Sequence, residues 1–193
     1  MWKNKNKVKI IGGKWKSRLI SFPLIRDIRP TPNRVRETLF NWLRNDIIDA
    51  HCLDAFAGSG SLGFESLSRG ANEVCFIDKE RAIVNSIKAQ LELFNVNSKT
   101  ILGDAKKILE HQSPEKFNII FLDPPYSYKL KPILMTLSKW LTNPGYVYIE
   151  RKENDMDELI FDYYRNNSND YELIKSAIYA KVEYGLLRYD KST

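Results

Sequence analysis

Two short stretches hold residues whose types and spacing could do chemistry. The first is DAFAGSGSLG, residues 54–63, in which Gly58, Gly60 and Gly63 stand as G-x-G-x-x-G, with Asp78 twenty residues beyond the first glycine. That spacing alone describes a dinucleotide-binding turn with its ribose-binding acid. In such a turn, however, the strand runs almost directly into the first glycine and the pyrophosphate rests on the helix N-terminus. Here Asp54 ends the strand and Ala55-Phe56-Ala57 intervene. A carboxylate at that place repels a pyrophosphate and suits a cation. S-adenosylmethionine carries a sulfonium and an ammonium and no phosphate. Asp54 would hold its methionine end, while Ala55, Gly58, Ser59 and Gly60 form a turn whose backbone can approach closely. Asp78 would accept from the ribose hydroxyls, and Asp104, followed by Ala105, from the adenine amino group. A nicotinamide or flavin oxidoreductase built on the same turn is the competing reading.

The second stretch is FLDPPY, residues 121–126. Its plain reading is a tight turn after a strand, since Asp and Pro favour turns. Two prolines also fix the backbone and remove two N–H donors. Asp123, bare carbonyls at Pro124 and Pro125, and the ring of Tyr126 together suit a planar base with an exocyclic amine. The Asp123 carboxylate and Pro124 carbonyl would accept the two N–H bonds while Tyr126 stacks on the base. Methyl transfer from a sulfonium to that nitrogen is an in-line displacement that needs alignment and no metal.

The elements that must position these residues alternate. HCLDAF, EVCFID, KTILGD, FNIIFLD and GYVYIE read as five strands, with helices near 61–69, 80–95, 104–111 and 129–141. Such alternation implies a parallel sheet covered on both faces, with ligands beyond the carboxyl ends of its strands. Four predicted strand ends carry an acid: Asp54, Asp78, Asp104 and Asp123. A helix cap explains any single one of them. The tail YELIKSAIYAKVEYGLLRYD adds an antiparallel hairpin on the edge, for seven strands in all.

Charge is unevenly placed. Residues 1–50 hold 12 Lys/Arg against 4 Asp/Glu, a net of +8, whereas the remaining residues hold 18 against 20, a net of −2. A basic segment beside a near-neutral body suggests a surface for a polyanion. Residues 8–22 read as two short strands around a Gly12-Gly13 turn. They precede an amphipathic helix with Thr31 as N-cap, Pro32 at its first position, and Val35, Leu39, Trp42, Leu43 and Ile47 on one face. Arg34 and Arg36 lie off that stripe, and Glu37 would orient an arginine. Trp15, among Lys14, Lys16 and Arg18, would either stack on an unpaired base or, in the favoured reading, pack on the domain. Cys52 and Cys75, the only cysteines, read as buried reduced thiols of a cytoplasmic protein. His51 and His111 lack the spacing of a metal site. No apolar run is long enough to cross a membrane, and no signal-peptide core follows the N-terminal lysines.

Together, IIGGKWKSRLI, RPTPNRVRETLFNWL, LDAFAGSGSLGFESLSRGA and FLDPPY resemble the bacterial 16S rRNA (guanine(966)-N(2))-methyltransferases over nearly the whole chain from residue 8. The resemblance implies a class I, Rossmann-like methyltransferase fold with a mostly parallel seven-stranded sheet. It implies S-adenosylmethionine as donor and the N2 of a guanine in small-subunit rRNA, or in an assembly intermediate of that subunit, as acceptor. Cofactor binding then falls on Asp54, Ala55, Gly58, Ser59, Gly60, Asp78, Asp104 and Ala105, and catalysis on Asp123, Pro124, Pro125 and Tyr126. RNA contact falls on Lys14, Lys16, Arg18, Arg29, Thr31, Arg34 and Arg36. Residues 1–48 would form a basic extension and residues 49–193 the methyltransferase domain, with nothing calling for a dimer. The alternative acceptor is an adenine N6 in DNA or RNA. An RNA-binding protein without catalysis gives no reason for Asp123-Pro124-Pro125-Tyr126.

Overall fold

The computed structural model describes residues 5–25, 30–111, 115–125, 128–152 and 170–191. Arg29 and Tyr126 lie outside the described residues. The chain forms two compact units, Met1–Ala105 and Lys106–Thr193. The basic segment therefore lies inside the first unit, and the division is not the one at residue 48 that the change in charge suggests.

In the first unit, β1 (Lys5–Lys9) and β2 (Leu19–Pro23) pair antiparallel, Lys5 opposite Pro23 and Lys9 opposite Leu19. Their connection is broader than a two-glycine turn and contains one turn of 3-10 helix over Gly13–Trp15. Helix α1 (Asn33–Trp42) buries Val35, Leu39 and Phe40. Pro32 occupies its N-cap, and Thr31, expected there, lies one residue earlier.

Then β3 (His51–Asp54), α2 (Ser61–Ser68), β4 (Glu73–Asp78), α3 (Arg81–Phe94) and β5 (Thr100–Leu102) follow in the expected alternation. The three strands run parallel in the order β5-β4-β3, with Asp54 opposite Phe76 and Asp78 opposite Leu102. Cys52 and Cys75 are buried free thiols on β3 and β4.

Every residue of α2 is buried, because it is covered from two sides. On one side a Cβ at Gly63 would lie 2.1 Å from the Phe76 ring of β4. On the other, Gly13, at φ +75°, brings the hairpin tip so close that a Cβ there would lie 1.8 Å from the Ser68 carbonyl oxygen. Trp15 packs on Phe94 with ring centroids 4.4 Å apart, and Phe64 lies 5.7 Å from the same ring. Ser86 Oγ donates to the Ser21 carbonyl at 3.0 Å, tying α3 to β2. Trp15 is thus a packing residue, 7% exposed, and is not presented for stacking on a base.

The second unit begins within α4 (Ala105–Glu110), whose first residue ends the first unit. Strands β6 (Phe117–Leu122), β7 (Leu141–Lys152), β8 (Tyr171–Tyr179) and β9 (Val182–Tyr189) are ordered β6-β7-β9-β8. β6 and β7 are parallel, and β9 pairs antiparallel with both β7 and β8, the expected hairpin. The helix expected over 129–141 is instead α5 (Lys131–Leu134) and a 3-10 turn over Leu137–Lys139. Trp140 accounts for the early exit. Its carbonyl accepts the Phe117 N–H at 2.8 Å and its indole N–H donates to the Leu109 and His111 carbonyls. The backbone must therefore already lie beside β6 at that residue, and β7 starts at Leu141.

Replacing Gly63 by alanine tests the closest of these packings. The added methyl overlaps the Phe76 ring, and thermal unfolding should register a loss of about 1–3 kcal/mol. An unchanged Tm would mean that α2 and β4 are not packed as described.

Candidate active site

The glycine turn is held from below by the two acids that end β3 and β4. Asp54, 2% exposed, accepts the Gly63 N–H on Oδ2 at 3.0 Å, so it caps the first turn of α2. Asp78 accepts the Gly58 N–H on Oδ2 at 2.9 Å and the Glu80 N–H on Oδ1 at 2.8 Å. Ala57 N–H donates to the Ile77 carbonyl at 2.9 Å, fixing the turn to β4. Gly58 and Gly60 both have positive φ, 48° and 75°, where L side chains are strained. Ser59 is buried, and its Oγ accepts the Ser61 N–H at 3.3 Å. Ala55 is fully buried beside Asp54, and Ala105 is buried at the start of α4. Asp104 follows β5 and is half-buried. Thus Asp54, Asp78 and Asp104 follow three adjacent parallel strands at their carboxyl ends.

The electrostatics of this ledge favour a cation. Burial pushes the Asp54 carboxyl up to about 7, the Gly63 N–H opposes the rise, and the Asp78 carboxylate adds to it. Asp78 is also raised by burial, against the hydrogen bonds from Glu80 and Gly58. A positive group above Asp54 would relieve that cost, whereas a pyrophosphate would add to it. Asp78 has one lone pair per oxygen left after its backbone bonds, enough for two ribose hydroxyls. The capping role and the ligand role are compatible for both acids.

Sequence reasoning missed Glu65. This fully buried carboxylate on α2 accepts the Ile11 N–H at 2.9 Å and the Gly12 N–H at 2.8 Å from the hairpin. It also accepts from Arg69 Nε at 2.8 Å and pairs with Arg36 Nη1 at 3.3 Å. Arg36 in turn donates to the Lys9 carbonyl at 2.8 Å, to Asn33 Oδ1 at 2.6 Å and to the Thr31 carbonyl at 3.2 Å. Burial lowers the Arg36 guanidinium's proton affinity and Glu65 restores part of it. The signal was present: between Asp54 and Arg69 the sequence holds no charge except Glu65. A lone acid in such a run, on a helix buried all round, must find a base.

Two of the residues expected to touch RNA are corrected by this network. Arg36 is 0% exposed and Thr31 is 4% exposed, so neither offers a surface to a polyanion. Glu37, expected to orient an arginine, is exposed, and the carboxylate that bonds Arg36 is that of Glu65. Lys14, Lys16, Arg18 and Arg34 are exposed. The Lys14 ammonium lies 4.7 Å from the Trp15 ring, and the Arg18 guanidinium 4.1 Å from that of Phe94.

In the second unit, Asp123 follows β6 and is half-buried, with Pro124 buried and Pro125 exposed after it. The Pro125 carbonyl is not bare: it accepts the Tyr128 N–H at 2.8 Å. Arg151 at the end of β7 donates to the Tyr128 carbonyl, holding the same loop from its far side.

A family described as conserved hypothetical protein 95 matches residues 8–180 of this sequence. The chain belongs to this family. The ribosomal RNA small subunit methyltransferase D of Escherichia coli is 40% identical over 147 residues, 74% of each chain. Its Haemophilus influenzae counterpart is 36% identical over 157 residues, 78% of this chain and 81% of that protein. Among solved structures, yhhF of Escherichia coli superposes with a TM-score of 0.82 at 32% identity, covering 97% of this chain and 100% of that one. The M. jannaschii tRNA m1G37 methyltransferase shares the fold at 15% identity, with a TM-score of 0.75 over 97% of this chain and 57% of that one. So does SMU.776, solved with SAH, at 12% identity and a TM-score of 0.71 over the same shares. The fold is that of the class I, S-adenosylmethionine-dependent methyltransferases, with the two-stranded hairpin β1–β2 beside the seven strands β3–β9 of the main sheet.

The raised Asp54 carboxyl makes a pH-dependent prediction. Its proton is held more tightly in the folded chain, up to about pH 7, than in the unfolded chain, where it leaves near 3.8. Stability therefore falls as pH rises through that window and stays reduced above it. Asp54→Asn keeps an acceptor for the Gly63 N–H and removes the charge. Urea unfolding without ligand should show a gain on the order of 1 kcal/mol or more at pH 8 and a smaller gain at pH 5. A gain that is equal at both pH values would contradict the placement of Asp54.

Proposed function

We propose that this protein methylates ribosomal RNA of the small subunit with S-adenosylmethionine, at the exocyclic N2 of the guanine at position 966. The observation that carries the reading is Asp123-Pro124-Pro125 at the end of β6, in a chain of the family that contains the small subunit methyltransferase D enzymes. When bound, the cofactor supplies an activated methyl group on a sulfonium. Asp54 and the Gly58–Gly60 turn would hold its methionine end, Asp78 its ribose, and Asp104 with Ala105 its adenine. The solved relative of the same fold that holds SAH supports this class of ligand.

The Asp123 carboxylate and the Pro124 carbonyl each accept one N–H of the amine, which turns the nitrogen lone pair toward the methyl group. With Pro125's carbonyl already engaged by Tyr128, the second acceptor is assigned to Pro124. Tyr126 stacks on the base. Lys14, Lys16, Arg18 and Arg34 grip phosphates and set register without reading sequence. Arg29 is proposed beside them on the resemblance alone. A protein acting on small-subunit rRNA or its assembly intermediate works in the cytoplasm, as a monomer and without a metal in this reading.

The deciding experiment is methylation of small-subunit particles lacking the modification, followed by nucleoside mass spectrometry. The expected product is N2-methylguanosine at one position. N6-methyladenosine instead would overturn the acceptor. Asp123→Ala should remove transfer, by at least 100-fold, while thermal shift still detects S-adenosylmethionine binding. Loss of binding together with transfer would mean that Asp123 serves the donor instead. For RNA contact, Arg34→Ala should weaken binding and reduce its salt slope by about 1. Arg36→Ala should lower stability first, by about 1–3 kcal/mol, since it removes one of the two arginines on Glu65 and the donor to the Lys9 and Thr31 carbonyls.

A further inference from the structure

The second unit buries a carboxylate that the proposed reaction has not yet used. Glu150, on β7, is 5% exposed, and Tyr148, on the same face two residues earlier and fully buried, donates its hydroxyl to Glu150 Oε2 at 3.0 Å. Phe121 of β6 stands opposite Tyr148 and Leu122 opposite Ile149. Asp123 follows Leu122 at the end of β6 as Glu150 follows Ile149 on β7, and the charges of both act on the Tyr148 phenol. Neighbouring strands lie about 4.8 Å apart. From β9, Tyr184 stands opposite Glu150 and its ring centroid lies 6.4 Å from that of Tyr148.

Among the described residues, the groups placed around Glu150 include Tyr148 on β7, Tyr184 on β9 and Asp123 after β6. Arg151 and Glu183, paired one step on, alternate to the opposite face. Burial, then Glu150, then Asp123 raise the Tyr148 phenol well above its ordinary value, so it stays protonated and can donate. A buried carboxylate is costly unless something holds it. Here a phenol does so beside the residue proposed to receive the substrate amine.

We propose that Glu150, anchored by Tyr148, is a positioning residue that acts through Asp123 and makes it the proton acceptor of the methyl transfer. The inference rests on the reading of Asp123 given above. As the amine nitrogen bonds the methyl carbon, the sulfur keeps the electron pair of the broken bond and the nitrogen becomes cationic. One N–H pair returns to nitrogen and its proton passes to an Asp123 oxygen. A second negative charge alongside strengthens that oxygen's hold on the proton. Tyr148 supports the charge on Glu150 by the hydrogen bond it donates at 3.0 Å. Glu150 touches neither the base nor the donor in this scheme.

The test is Glu150→Gln, which retains an acceptor for the Tyr148 hydroxyl and should fold with little change in Tm. In the protein without cofactor, carboxyl carbon-13 NMR follows Asp123, its signal assigned by its loss in Asp123→Asn. The midpoint of Asp123 should fall by about one pH unit in Glu150→Gln. In the loaded enzyme kcat should drop roughly 10-fold or more, its acid limb should move to lower pH, and KM for S-adenosylmethionine should hold. Tyr148→Phe should lower kcat near neutrality and recover it at higher pH. An unmoved Asp123 midpoint, with wild-type protein forming N2-methylguanosine, overturns the role of Glu150 alone. Wild-type protein that transfers no methyl to guanine overturns both this inference and the reading on which it rests.

Discussion

The buried pair of Arg36 and Glu65 is the constraint on which the first unit depends. Four donors converge on one carboxylate: two backbone N–H groups of the hairpin, Arg36 of α1 and Arg69 one turn further along α2. The guanidinium of Arg36 then spends its remaining donors on the Lys9 and Thr31 carbonyls and on Asn33. Removing Glu65 leaves the Arg36 guanidinium buried without its ion-pair partner, a loss of about 3–5 kcal/mol, whereas removing Arg36 leaves Glu65 paired with Arg69. Replacing both by apolar residues would cost far less, so the pair is better understood as specifying how the elements meet than as a source of net stability.

That meeting has a functional reading. Glu65 lies one helical turn beyond Ser61, where α2 leaves the glycine turn. An arm holding exposed Lys14, Lys16 and Arg18 is thereby fixed to the helix whose first turn Asp54 caps. Packing repeats the link, since Phe94 receives Trp15 from the hairpin and Phe64 from α2. The basic segment belongs to the unit that carries the glycine turn. A surface that grips phosphates through it would set register relative to that turn.

The sequence was most legible where local chemistry decides structure. Alternating apolar runs and helical periods located β3 to β7 and α1 to α4, because each of those elements buries a face of its own period. The acids at strand ends were legible as residues of consequence, and what they are seen to do is the plainer capping role: Asp54 binds the Gly63 N–H of α2, and Asp78 the Gly58 and Glu80 N–H groups. Reading failed where a partner lies far along the chain. Arg36 meets Glu65 across 29 residues, and Glu65 meets Gly12 across 53, so a count of charges assigned Arg36 to the solvent. The helix expected over 129–141 failed for a similar reason: Trp140 is claimed by β6 and by the end of α4, and helical periodicity in Leu130–Leu137 does not reveal that. At the acceptor loop, the acid and prolines were legible, but Glu150 was not, because an acid at the end of a strand looks like any solvated one.

The central claim is that Glu65 makes the hairpin and the cofactor turn one mechanical body. Amide hydrogen exchange of Glu65→Gln against wild type measures it directly. The account predicts that Ile11 and Gly12 lose protection together with Gly58 and Gly63, although the latter two bond to Asp78 and Asp54 and not to Glu65. Loss confined to Ile11 and Gly12, with Gly58 and Gly63 as protected as before, would contradict it.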